Sequence, residues 1–163
     1  MTLAELLCGA VVALNMPHSD TACKHMDTVV SSAHENKIKP EVLVAMIHEE
    51  SRWKPRAVSS SGACGLTQIM PKYTQKPRVT CKQLKRDAEL SIRLGAKTLA
   101  FWVYEYGDGN YKIGLCGYNS GYRCRGPNRS RRSLAYAARV LRRAKRLNAS
   151  VKQKAEMLLI LSE

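Results

Sequence analysis

The sequence is short of acid. It sets 13 Asp and Glu against 27 Lys and Arg, for a net charge of +14. The acids are also unevenly placed: none lies between Ser51 and Arg86, and none between Asp108 and Glu156. Positive charge without a counter-sign, dense from residue 123 to 154, argues for an anionic partner: an envelope polymer, packaged nucleic acid or an acidic protein surface. Aromatics are scarce, at 6%, so base-by-base reading of single-stranded RNA, which stacks bases on rings, is unsupported. No apolar run approaches the ~20 residues that a membrane helix needs. Met1 to Met16 is apolar but carries Glu5 and has no basic start, so it reads as a first helix rather than as a signal peptide. The six cysteines (8, 23, 64, 81, 116, 124) include no Cys-x-x-Cys pair, which weakens a zinc reading. Internal repeats and low-complexity runs are missing. What is present is a 163-residue chain with 45% hydrophobic residues, enough for one ordinary domain with a real core.

The apolar spacing is helical. Leu3, Leu6, Leu7, Ala10, Val11 and Leu14 recur at three and four residues, which predicts a first helix. Asp20 is a candidate cap for a second, with Ala22, Met26, Val29, Val30 and Ala33 on one face. Pro40 starts a third, running to Glu50 with Val42, Leu43, Met46 and Ile47 as its stripe. Residues 56–86 have no strong period and read as a long loop, with a small hairpin or one short helix near Leu66 to Met70; a loop of that length in a compact domain usually carries function. Asp87 opens a long helix to Tyr106. A short helix over Tyr111 to Cys116 leads into Gly117-Tyr118-Asn119-Ser120-Gly121, and Ser133 and Ser150 each cap a further helix. The expectation is a mostly α protein with little or no β-structure: an N-terminal helix over 1–20, a catalytic domain over 21–148 and a C-terminal helix over 149–163.

The chemistry centres on His48-Glu49-Glu50-Ser51-Arg52-Trp53 and the Gly-rich segment after it. Glu50 sits at the electronegative end of an apolar helix, beside Ile47 and Trp53, and both features push a carboxyl pKa upward. That is the condition for a general acid near neutral pH. Glu49 competes for the role, but successive helical side chains point about 100° apart, so only one faces a given cleft. A two-carboxylate glycosidase needs a second acid nearby, and the stretch from Ser51 to Arg86 offers none. His48-Glu49 begins like H-E-x-x-H, but position 52 is Arg and the motif fails. Cys23, His25 and His34 lack a recognised ligand spacing, so no metal or cofactor is expected. Cys64 with Cys81 would staple the Gly-rich loop, and Cys116 with Cys124 the Tyr118-Asn119 turn; the alternative is small buried thiols, and six cysteines allow too many pairings for sequence to choose.

The pattern Glu50-Ser51-x-Trp53-x-Pro55-x-Ala57-x-Ser59-x-x-Gly62-Ala63-x-Gly65-Leu66-x-Gln68-Ile69-Met70-Pro71 resembles the signature of the soluble lytic transglycosylases, lysozyme-like enzymes that cleave peptidoglycan. Asp87 to Gly95 resembles that family's second segment, Gly117 to Gly121 its Ala-Tyr-Asn-Ala-Gly segment, and Tyr136 and Val140 fit its closing helix. The resemblance covers roughly residues 21 to 145. It implies a lysozyme-like fold in which Glu50 protonates the glycosidic oxygen between N-acetylmuramic acid and N-acetylglucosamine, then takes a proton from the muramoyl 6-hydroxyl as a 1,6-anhydro ring closes. It implies that Ser59 and Gln68 touch the sugar at the cleavage point, that Tyr118 hydrogen-bonds near Glu50 and that Asn119 holds a sugar. Gly62 and Gly65 would let the backbone approach the glycan. Two positions depart from the pattern: Thr67 stands where many relatives have Met, which would alter a subsite, and Cys116-Gly117 replaces an Ala pair.

The implied partner is the glycan strand of peptidoglycan, in the bacterial envelope or periplasm. High charge and the absence of a signal peptide further suggest a phage product, either a virion component or a lysis enzyme; a secretion-machinery role is the neighbouring reading. The alternatives are a hydrolytic muramidase of the same fold, or a basic virion or DNA-binding protein with a vestigial sugar site.

Overall fold

A computed structural model describes residues 1–74 and 78–162. Eight α-helices occupy most of these residues: α1 (Leu3–Ala13), α2 (Ser19–Lys24), α3 (Met26–Glu35), α4 (Pro40–Ser51), α5 (Cys81–Arg86), α6 (Ala88–Phe101), α7 (Tyr111–Ser120) and α8 (Arg131–Ser162). The only β-structure among the described residues is a pair of isolated antiparallel bridges, Val58 with Cys64 and Cys64 with Ile69. The mostly α expectation therefore holds.

Helix α4 is the hub. Its first residue is Pro40, where the missing N–H is no loss. Val42, Leu43, Val44, Ala45, Met46 and Ile47 are all buried. Six consecutive buried positions leave no solvent side, so this helix runs through the core rather than along its edge. Helix α8 packs against α7, α4 and α1, and α3 bridges α6 and α4. The outer helices thus hold the C-terminal end of α4 from several directions.

Several boundaries differ from the sequence reading. The second helix is two, α2 and α3, broken at His25, whose backbone leaves the helical region. Asp20 does not cap α2; it lies in the first turn and His18 takes the cap position in a left-handed conformation. Helix α5 was hidden in the expected loop. Its start is a reciprocal cap, Thr80 Oγ1 accepting from Gln83 N while Gln83 Oε1 accepts from Thr80 N, a pattern legible as Thr-x-x-Gln. Residues 75–77 of that loop lie outside the described residues, as does residue 163. Asp87 caps α6 as expected, accepting from Leu90 N, and the helix ends in a wider π-turn over Trp102–Tyr106. Helix α7 does not stop at Cys116 but continues to Ser120, so Tyr118 and Asn119 stand on a helix and not on a turn. The two helices expected from Ser133 and Ser150 are one, α8, which passes through Ser150 unbroken; its first turn is held by Ser130, whose Oγ accepts from Ser133 N.

All six cysteines are paired: Cys8–Cys23, Cys64–Cys81 and Cys116–Cys124. The last two are the staples weighed from sequence; the first, tying α1 to α2, was not.

Candidate active site

The chain leaves α4 through two consecutive left-handed residues, Arg52 at φ 51° and Trp53 at φ 62°. Neither is glycine, and each such conformation costs about 1–2 kcal/mol. The strain is offset by burial: Trp53 is fully buried in the core. The double turn ends the helix just past Glu50 and sends the next segment into the Ser59–Met70 loop.

Glu49 and Glu50 fall into opposite environments. Glu49 accepts from Arg143 Nη2 at 2.9 Å and from Arg139 Nε at 3.3 Å. Burial opposes its ionisation, but hydrogen bonds and charge from the two arginines outweigh it and hold the carboxyl below its ordinary value. Glu50 has no cation paired with it among the described residues. Burial pushes its pKa up to about 7; the hydrogen bond from Tyr136 works the other way, and the charge of Glu49 adds to the rise. Tyr136 Oη donates to Glu50 Oε1 at 2.5 Å, which leaves Oε2 as the oxygen that can carry an exchangeable proton. Helix α8 thus separates the two glutamates, holding one as a carboxylate and leaving the other near its titration point. His48 is buried and held neutral, its pKa lowered to about 4 by burial and by Arg143.

Tyr118 does not bond to Glu50. Its hydroxyl donates to the Thr67 carbonyl at 2.6 Å, although the charge of Glu50 acts on it and, after burial, helps raise its pKa. It therefore fixes the loop beside the acid. The direct partner, Tyr136, was legible only as part of the closing helix, with no role of its own. Arg139 and Arg143 lie within the basic stretch from 123 to 154, and both are committed to Glu49.

Local hydrogen bonds set the loop. Ser59 Oγ accepts from Ala63 N at 3.0 Å, and Gln68 Nε2 donates to the carbonyls of Gly65 and Ala57. These bonds use the amide nitrogen of Gln68 and leave its Oε1 free to accept. Gln68 is itself left-handed, at φ 52°. Gly65, at φ +80°, has no room for a side chain, since a Cβ there would lie 2.7 Å from the Leu84 carbonyl and 2.8 Å from Ser91 Oγ. Its missing side chain admits α5 and α6; at Gly62 the corresponding space is open. Asn119 is exposed on the last turn of α7.

Both departures from the motif have structural reasons. Thr67 is fully buried, with Oγ1 donating to the Ser91 carbonyl at 2.7 Å and its methyl over Gly95, where a Cβ would fall 2.4 Å away. It is a core contact between the loop and α6. At Gly117 a Cβ would meet the Trp102 ring at 2.5 Å, so glycine there lets α7 lie against the π-turn.

Among the described residues no group of His, Cys, Asp and Glu is arranged to hold a metal. An open cavity of about 740 Å³ lies elsewhere, lined by Lys24, His25, Arg56, Lys85 and Arg86 among others; it contains none of the site residues.

The helical fold matches that of a lytic transglycosylase. The profile of the transglycosylase SLT domain matches residues 27–141, and the chain belongs to that family. Among solved structures it is similar to an inactive Glu-to-Gln mutant of the lytic transglycosylase Slt from Pseudomonas aeruginosa, with a TM-score of 0.68 and 22% identity over 78% of this chain. The chain spans 24% of the length of that protein.

Proposed function

We propose that this domain is a peptidoglycan lytic transglycosylase acting in the bacterial envelope with Glu50 as its only acid–base group. The observation that carries the reading is the pairing of a raised Glu50 pKa, near 7, with the absence of a second unpaired carboxylate beside it among the described residues. A group that titrates near 7 is well matched to giving and then accepting a proton at neutral pH. In the first step protonated Glu50 donates from Oε2 to the glycosidic oxygen as the bond from that oxygen to C1 of the muramoyl residue breaks. In the second, the resulting carboxylate takes the proton of the muramoyl 6-hydroxyl while its oxygen bonds to C1, closing the 1,6-anhydro ring. The acid is regenerated and no water enters. Inverting and retaining glycosidases require a second carboxylate as base or nucleophile; Glu49, locked to two arginines, is unsuited to both.

Ser59, Gln68 and Asn119 are the substrate contacts we assign, with Tyr118 bracing the loop that carries Gln68 and Gly65 shaping it. That the structural relative is inactive with a Gln in place of a Glu supports a mechanism resting on one carboxyl. The test is digestion of purified peptidoglycan by the wild type and by Glu50→Gln. The wild type releases soluble muropeptides and the variant is slower by roughly 100-fold or more. Equal release by both removes Glu50 from the chemistry, and release by neither assigns the domain to binding alone.

A further inference from the structure

Helix α8 outruns the domain it closes. Its buried positions end at Leu147, and Val151 is its last apolar residue packed on the core. Lys154 still lies against α1, where a Cβ on Gly9 would meet its Nζ at 2.8 Å. The helix nevertheless continues to Ser162, roughly 16 Å beyond Val151 at the α-helical rise.

The last turns of this extension, Met157 to Leu161, are apolar on every side. Met157, Leu158, Leu159, Ile160 and Leu161 are exposed by 55, 37, 67, 71 and 80%. Consecutive helical side chains are about 100° apart, so five in a row go right round the helix. A partner helix or protein groove would call for a stripe; an all-round apolar segment suits surroundings that are apolar in every direction. Five residues reach about 7 Å, the depth to which interfacial helices enter the edge of a bilayer and far short of a span. No helix among the described residues is long and apolar enough to cross a membrane.

The charges next to the tip have matching sign. Lys145, Arg146, Lys152 and Lys154 are exposed on the preceding turns, and Glu156 is the one acid among the described residues of α8. None of these four cations has an ion-pair partner among the described residues. Cations one to three turns behind an apolar tip meet lipid headgroups when the tip enters the acyl edge, each adding attraction to an anionic leaflet.

We propose that the end of α8 is an anchor for an anionic membrane surface, with Met157 to Leu161 entering the leaflet and the basic turns behind them neutralising its headgroups. The test is sedimentation of the whole chain with vesicles of phosphatidylglycerol and phosphatidylcholine in equal parts, against vesicles of phosphatidylcholine alone. Wild type sediments with the mixed vesicles, less so in high salt, and remains in solution with the neutral ones. The triple variant L159Q/I160Q/L161Q, altered only at exposed positions, partitions roughly tenfold or more weakly, and K145E/K152E loses the preference for anionic lipid. Wild-type protein that stays in solution with both vesicles, or a triple variant that binds as well as wild type, overturns the proposal. So does sedimentation equilibrium without lipid showing a wild-type dimer that the triple variant abolishes, because a second copy would then cover the tip.

Discussion

Tyr136 on α8 donates to Glu50 Oε1 at 2.5 Å across 86 residues of sequence, and one and two turns further along the same helix Arg139 and Arg143 grip Glu49. Positions 136, 139, 140 and 143 fall on one helical face, so a single element assigns different protonation to adjacent glutamates.

The tyrosine hydrogen bond favours the ionised form of Glu50 and so lowers its pKa against the larger effect of burial. Removing the donor by Tyr136→Phe raises that pKa. The alkaline limb of the rate profile, which reports loss of the acid proton above about 7, then moves to higher pH, and the maximal rate falls because the carboxyl is no longer held in place. A profile of kcat/KM against pH checks this, and an unmoved limb would show that Tyr136 does not tune the acid.

Glu50 also opposes folding at neutral pH. The unfolded chain ionises it at the ordinary value of 4.5, the folded protein only near 7. Below 4.5 both states keep the proton and there is no penalty. Stability is lost as pH rises between the two values, and the loss is complete above about 7. Glu50→Gln, which keeps an oxygen for Tyr136, should therefore be more stable than wild type at pH 8, by on the order of 2–3 kcal/mol, and equal to it near pH 4. Thermal melts at the two pH values measure the difference.

Glu49→Gln should affect stability more than chemistry. It leaves the Arg143 guanidinium, only 28% exposed, without its charge partner, at a cost of about 1–3 kcal/mol. It also removes the neighbouring charge that helps to raise the Glu50 pKa, so the alkaline limb moves to lower pH, opposite to Tyr136→Phe. Denaturant melts and the pH profile read the two effects separately. Inactivity at every pH in a folded Glu49→Gln protein would give Glu49 the role of acid.

Gly65→Ala should lower stability by about 2–4 kcal/mol, because a Cβ at φ +80° would press on the Leu84 carbonyl and Ser91 Oγ. Gly62→Ala meets no atom within 4 Å and carries only the strain of a positive φ, about 1 kcal/mol. Loss of similar size at both positions would contradict the packing of this loop on α5.

Reduction of Cys64–Cys81, which closes a loop 17 residues apart in sequence, should weaken the Ser59–Met70 segment, with a stability loss of about 3 kcal/mol. The Cys64→Ser/Cys81→Ser double variant, compared with wild type under oxidising and reducing conditions, isolates this bond. An unchanged melting temperature in the double variant would mean that the bridge does not hold the loop.

Local signals carried most of the fold. Periodic apolar residues revealed α1, α4 and α6, and Pro40 and Asp87 marked the starts of α4 and α6. Errors came where tertiary contacts overrode local cues. Ser150 has the chemistry of a cap, but α8 lies against α1 as far as Lys154 and the helix is not interrupted. Gly117 has the chemistry of a helix stop, yet it is the residue that lets α7 approach Trp102. For the site, the lack of any acid from Ser51 to Arg86 was legible because it is an absence in one continuous stretch. The contacts of Tyr136, Arg139 and Arg143 were not, since nothing local ties a tyrosine or an arginine to a glutamate some 90 positions earlier. The burial of Thr67 was not legible either, because sequence order does not reveal which way a loop side chain turns.

In the proposed reaction a sugar hydroxyl, not water, completes the cleavage after Glu50 gives up its proton. Digesting peptidoglycan with the wild type in water enriched in oxygen-18, followed by mass spectrometry of the muropeptides, tests this most directly. The prediction is muropeptides lighter by one water than reducing-end products and free of the heavy isotope. Reducing ends that carry one oxygen-18 would contradict it.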